Sequence, residues 1–178
     1  VRFLHTESLS ISGCRNMRIS SRLWKSIGVT GVAIAAIAGF EGYRSTAYDD
    51  GVGVQTIGFG TTRYEDGTSV KPGDRVDPVR AVVVLQANAN KIAREVAECI
   101  GDVPLAEHEW NAIVSWAYNV GAKAACGSTL VKKLKQNPPD YSGACRELLR
   151  WVYAGGRELP GLVKRREKEY RMCMGLDK

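Results

Sequence analysis

Histidine is almost missing from this chain of 178 residues: only His5 and His108 occur. The five cysteines, Cys14, Cys99, Cys126, Cys145 and Cys173, contain no C-x-x-C spacing. With so few nitrogen ligands and no paired thiols, a zinc site is not expected. An odd number of cysteines cannot all pair within one chain. They read as buried apolar fillers or as one or two bridges in an oxidising compartment. Cys145 and Cys173, on two helices expected near the C-terminus, are the first candidate pair. Internal repeats and low-complexity segments are also missing, as are a helix-turn-helix signature and basic-aromatic interleaving. Nucleic acid is therefore not an expected partner, although the net charge is +6.

Positive charge crowds the C-terminal half, from Lys132, Lys133 and Lys135 through Arg146, Arg150 and Arg157 to Lys164, Arg165, Arg166, Lys168 and Arg171. Such a surface attracts polyanions at long range, among them anionic lipid and the acidic bacterial cell wall. The plainer reading of the run is a solvated helix face.

The order of elements predicts an α+β fold. Residues 1–20 are polar and mixed, and read as a flexible tail. Met17 is a candidate natural start. Arg22 and Lys25 then precede an apolar stretch, Ser26 to Phe40. It is shorter than the roughly 20 residues of a membrane span. Either it is the first core helix, or it is an export signal that stays uncleaved, since cleavage near Ala38 would destroy the helix before Glu41. Residues 52–72 alternate glycines with β-branched and aromatic residues and read as a small antiparallel sheet turning at Glu65-Asp66-Gly67. Asp77-Pro78 opens a long helix, about Val79 to Ile100, with Ala81, Leu85, Ala89, Ile92, Val96 and Ile100 at helical spacing. Further helices are expected at Ala106–Val120, Ser128–Lys135, Tyr141–Ala154 and Pro160–Met174. The expected organisation is thus an N-terminal lobe over 21–76, a connecting helix over 77–100 and a helical lobe over 101–175.

Chemistry concentrates near the first of these lobes. Glu41 follows Ala-Ile-Ala-Gly-Phe, and apolar surroundings favour a protonated carboxyl, the form that a general acid needs. Asp49 and Asp50 stand in an Asp-Gly turn, where a hydrated carboxylate stays ionised. Chemistry alone does not choose between them. Thr56, on an expected strand, offers a hydroxyl that could fix a water. Two acids and a hydroxyl are what hydrolysis of a sugar–sugar bond requires.

The pattern Glu41, Asp50, Thr56, followed by Ile57-Gly58-Phe59-Gly60, resembles the phage-type lysozymes (endolysins), and its spacing selects Asp50 over Asp49. The likeness continues through Tyr118-Asn119-Val120-Gly121 and Gly127-Ser128-Thr129-Leu130. Trp151-Val152-Tyr153-Ala154-Gly155-Gly156, Gly161-Leu162 and Arg165-Arg166 are similar to lambdoid-phage endolysins. Four such segments in order cover about residues 27–175 and are specific together although weak singly.

The resemblance implies a lysozyme-like fold and a muramidase that cuts the β-1,4 bond between N-acetylmuramic acid and N-acetylglucosamine in peptidoglycan. Glu41 would be the acid. Asp50 and Thr56 would position water in an inverting reaction, which needs the carboxyls roughly 6.5–9.5 Å apart. Tyr118, Asn119 and Thr129 match sugar-cleft positions. No metal or cofactor is implied, and the expected state is a monomer. Two positions depart from the family pattern: Thr61 replaces a frequent histidine, and Ala106 replaces a frequent capping threonine. Some endolysins carry an uncleaved signal-anchor that later leaves the membrane. The segment 26–40 would suit that role, placing the enzyme in the host periplasm; without it, the enzyme would wait in the host cytoplasm. The alternative from a different class is a catalytically silent peptidoglycan-binding module.

Overall fold

The computed structural model describes residues 17–51 and 53–177, so His5 and Cys14 lie outside the described residues. The chain begins with a two-residue strand, β1 (Ile19–Ser20), and a helix, α1 (Ser21–Ile27). It then breaks and resumes as α2 (Gly31–Glu41). The apolar stretch 26–40 is therefore two helical segments and not one. Gly28 makes the break with a φ of +78°, and a Cβ there would sit 2.5 Å from Asn90 Oδ1. That same oxygen accepts the Val29 N–H at 2.8 Å, and Trp110 Nε1 donates to the Gly28 carbonyl at 3.2 Å. Thr30 then caps α2 by accepting from Ala33 N, satisfying one of the helix's orphan amides.

A flexible tail over 1–20 does not hold for its last three residues. Ile19 and Ser20 pair antiparallel with Leu105 and Pro104 of β4 (Pro104–Leu105). Arg18 forms a two-pronged pair with Glu109, at 2.7 and 3.2 Å, and lies 4.0 Å over the Tyr141 ring. Glu109 Oε2 also accepts the Ala106 N–H at 2.8 Å. This supplies the return half of a capping box at a helix start whose alanine cannot cap. Charge on a single arginine was too little sequence signal to find this strap.

The small sheet begins earlier than composition suggests. Strand β2 (Arg44–Asp49) pairs antiparallel with β3 (Gln55–Gly58), in the register Tyr48 to Thr56 and Asp49 to Gln55. A register irregularity separates these pairs from Arg44–Gly58. Strand β2 is largely exposed and has no apolar alternation to betray it. Past Gly58 the lobe is held by isolated bridges, and the expected turn forms where Gly67 N donates to Tyr64 O.

Helix α3 (Pro78–Ile100) starts where Asp77 accepts from Arg80 N, and stops at Gly101. Its 23 residues span about 35 Å. The central element is α4 (Glu107–Val120), buried continuously from Glu109 to Ala117. A helix buried on every side belongs inside a domain, and α2, α3, α5 (Ala122–Cys126) and α8 (Pro160–Cys173) pack on it. Two more short helices, α6 (Thr129–Leu134) and α7 (Tyr141–Glu147), complete the helical lobe.

The helix expected over Tyr141–Ala154 ends early. A 3₁₀ turn covers Leu148–Arg150, and Tyr153–Ala154 becomes β5, paired with β6 (Arg157–Glu158) across Gly155-Gly156. Trp151-Val152-Tyr153 before a glycine pair is a hairpin signal that outweighs helical spacing. Cys145 and Cys173 are bonded, as their helical placement suggested. A second bridge, Cys99–Cys126, ties the end of α3 to α5.

Trp24 shows how firmly the strap belongs to the core. It is buried, stacks on Trp110 with centroids 5.8 Å apart, and donates to Leu105 O at 3.1 Å. Trp24→Ala is expected to cost about 3–5 kcal/mol, the usual range for a buried tryptophan. Chemical denaturation checks it: a midpoint unchanged from the parent would mean that α1 is not part of the cooperative unit.

Candidate active site

Glu41 is the last residue of α2, so its side chain leaves the helical core where the chain turns into the sheet lobe. It is half-buried. Its Oε1 accepts from Arg165 Nη1 at 2.8 Å, a charge-assisted bond across 124 residues of sequence. Its Oε2 faces Gly60, where a Cβ would stand 3.1 Å away and the backbone φ is +79°. Glycine therefore lets the backbone approach that oxygen closely, and adopts at little cost a φ that side chains resist.

Tyr118 closes another side. Its hydroxyl donates to the Phe59 carbonyl at 3.2 Å, joining α4 to the loop after β3. Burial pushes the Tyr118 phenol up to about 12, and the negative charge of Glu41 adds to that while Arg165 opposes it. Tyr118 is thus a neutral hydroxyl near neutral pH.

Behind Glu41 lies a chain of charges. Arg165 donates from Nε to Glu169 Oε1 at 3.1 Å and from Nη2 to Ser115 O at 3.3 Å. Its guanidinium lies 4.7 Å over the Phe40 ring. Ser115 Oγ donates to Glu169 Oε1 at 2.8 Å. Arg166 donates to Glu169 Oε2, to Asn119 Oδ1 and, at 3.0 Å, to the Trp151 carbonyl. Arg165, Arg166 and Glu169 are all buried. These two arginines are therefore not part of a solvated face, the reading that their basic run first suggests. The usable signal was local: Glu169 stands four residues after Arg165 and three after Arg166, spacings that bring helical side chains together.

Asp50 and Thr56 sit on the hairpin. Asp49 Oδ1 accepts from Gly51 N and Gly53 N, at 2.8 and 3.1 Å, and so shapes the tip. Asp50 is exposed, and its Oδ1 accepts from Val54 N at 3.1 Å. Thr56 is buried opposite Tyr48, its hydroxyl donating to Val54 O at 3.4 Å. Directly opposed residues share a face and successive ones alternate, which puts Asp50 on the side of Thr56 and Asp49 on the other.

The structure thus gathers Glu41, Tyr118 and, through Arg166, Asn119 into one network, and sets Asp50 and Thr56 together on the neighbouring hairpin. Thr129 stands apart as the exposed first residue of α6, beyond its buried cap Ser128. Thr61 is buried and its amide donates to Ile57 O, so the departure at this position is absorbed into the loop. No group of three or more histidine, cysteine or acidic side chains able to hold a metal occurs among the described residues. A cavity of about 300 Å³, lined by Arg18, His108, Glu109 and Tyr141 among others, includes none of the site residues.

Arg165 makes the clearest test of this arrangement. Arg165→Met should destabilise the fold by about 3–5 kcal/mol, because it strips a partner from a buried carboxylate and frees Glu41. Thermal and urea unfolding report this, and a loss below about 1 kcal/mol would contradict the network as drawn.

Comparison with known proteins places the chain in a family. The family model described as Phage lysozyme matches residues 38–169. A SAR-endolysin of Bacteriophage PS119 is 38% identical over 136 residues, covering 76% of this chain and 77% of the relative. A SAR-endolysin of Bacteriophage PS34 is 35% identical over 163 residues, covering 90% of this chain and 93% of the relative. Among solved structures, an endolysin from Escherichia coli O157:H7 phage FAHEc1 superposes with a TM-score of 0.73 at 31% identity, over 82% of this chain and 92% of that one. Fold and sequence converge: the chain belongs to the phage lysozyme family and is a glycoside hydrolase of the lysozyme type.

Proposed function

We propose that this enzyme is a peptidoglycan-lysing endolysin that hydrolyses the β-1,4 bond between N-acetylmuramic acid and N-acetylglucosamine with inversion. The observation that carries the reading is the setting of Glu41. One carboxyl oxygen is held by Arg165 while the other accepts no hydrogen bond among the described residues and lies against Gly60, which carries no side chain to crowd it. A general acid needs this asymmetry: a fixed oxygen to aim the group, and a second to carry the proton to the leaving sugar oxygen. Asp50 and Thr56, on a shared face of the hairpin, would orient a water for attack from the other side of the sugar ring. Tyr118 and Asn119, fixed by Phe59 O and by Arg166, would present hydroxyl and amide groups to the sugar, with Thr129 further along the cleft. The net charge of +6 favours approach to an acidic wall. The protein would act as a monomer.

The decisive experiment is loss of turbidity of chloroform-treated Gram-negative cells by the parent and Glu41→Gln. Removing the acid should slow lysis by about 10²–10⁴. Equal clearing by both proteins would refute the assignment, and clearing by neither would favour a binding module. Reducing-end analysis of the products separates hydrolysis from the water-free cleavage of a lytic transglycosylase.

Residues 26–40 would also carry the enzyme to the periplasm as an uncleaved signal-anchor, consistent with relatives named SAR-endolysin. In the folded enzyme these residues are the end of α1, the break and most of α2. No helix among the described residues is long and apolar enough to cross a membrane, so the anchored form would need a different backbone path. Residues 17–45 fused to a reporter active only in the periplasm should give signal in bacteria; silence would remove the export role.

A further inference from the structure

We infer that Glu169 is a positioning residue for the acid: its buried carboxylate holds Arg165 against Glu41 and offsets part of the positive charge that the two arginines place there. The inference rests on the reading of Glu41 as general acid. It begins from a conflict within the site. An arginine 2.8 Å from a carboxyl favours the ionised form, whereas a general acid must be protonated. Something has to weaken the arginine's field without moving its guanidinium.

Glu169 is placed to do both. It is fully buried, and its two oxygens take three donors: Arg165 Nε and Ser115 Oγ on Oε1, and Arg166 on Oε2. Arg165 is fixed by this contact at Nε, by Ser115 O at Nη2 and by the Phe40 ring below, which leaves Nη1 aimed at Glu41. The same carboxylate fixes Arg166, whose other amino group meets Asn119. Burial pushes the Arg166 guanidinium down from its ordinary value, and the charge of Glu169 is the main influence opposing that.

The charges on the helical side can be counted. Facing or adjoining Glu41 are Arg165 and Arg166 from α8, Glu169 behind them, Lys168 over the Phe40 ring at 5.8 Å, and the neutral Tyr118 from α4. The sheet lobe presents uncharged Gly60, with Asp50 as its candidate acid. The buried trio Arg165, Arg166 and Glu169 carries one net positive charge. Without Glu169 it would carry two, and without Arg166 none.

This arithmetic gives shifts of opposite sign, which a merely structural role would not produce. The readout is the alkaline limb of the pH–rate profile for lysis of chloroform-treated cells at constant ionic strength, with unfolding midpoints confirming that each variant is folded. Glu169→Gln adds an uncompensated positive charge, so Glu41 loses its proton more readily. The limb should move about one pH unit lower, and the rate on that limb should fall about tenfold. Arg166→Met removes a positive charge, so the limb should move higher whatever happens to sugar affinity through Asn119. The double variant should return the limb to the parent's position. If Glu169→Gln alone does not fold, the double variant compared with Arg166→Met isolates the removal of Glu169, and its limb should lie lower. A limb that stays put in the folded variants, while Glu41→Gln is inactive, overturns the role of Glu169 alone. Lysis by Glu41→Gln at the parent's rate overturns the general-acid reading beneath it.

Discussion

Two arginines on one side of helix α8 share a single buried carboxylate, and the architecture of the active lobe is organised around that sharing. Buried ions are stable only when paired and hydrogen-bonded. Glu169 meets the condition for Arg165 and Arg166 together, with Ser115 of α4 supplying a third donor. α8 is thereby locked to α4, the helix that runs through the core. From that lock one guanidinium reaches forward to Glu41 at the end of α2, and the other reaches Asn119 at the end of α4. Apolar packing brings these helices together, but it is indifferent to small rotations about a helix axis. Directional charged bonds remove that freedom and set where Glu41 points.

The sheet lobe is positioned differently. It contributes few buried side chains, and its attachment to the helices near the site is largely through backbone: Phe59 O receives Tyr118, and Gly60 stands against Glu41. The hairpin tip is shaped by its own aspartates. Glu41 is held rigidly on one side, and a lightly built hairpin faces it on the other. The helical lobe fixes Glu41, and the hairpin carries Asp50 and Thr56.

Much of this was legible in the sequence because it is written locally. The Asp77-Pro78 start and Gly101 stop of α3, the turn at Gly67 and the spacing of Glu41, Asp50 and Thr56 are short-range signals, each read within a few residues. What escaped was non-local or lacked periodicity. Strand β2 is exposed and does not alternate. The strap at 18–20 owes its order to partners more than 80 residues away. Arg165 and Arg166 looked like members of a basic run because nothing in their immediate neighbours shows that Glu41 and Asn119 lie in front of them. The Arg–Glu spacing along α8 was visible, but burial of the trio was not, and burial is what turns an ordinary helical ion pair into part of the site.

The bridge between Cys145 and Cys173 has a bearing on how the molecule withstands a protease. It joins α7 to the last residue of α8, enclosing the exposed β5–β6 hairpin within the covalent loop. A single backbone cut at Gly155-Gly156 would open the polypeptide but release nothing. The severed C-terminal piece, with Arg165, Arg166 and Glu169 aboard, would remain tethered at its far end and seated in the groove along α4. Such a nicked molecule would still be a whole one.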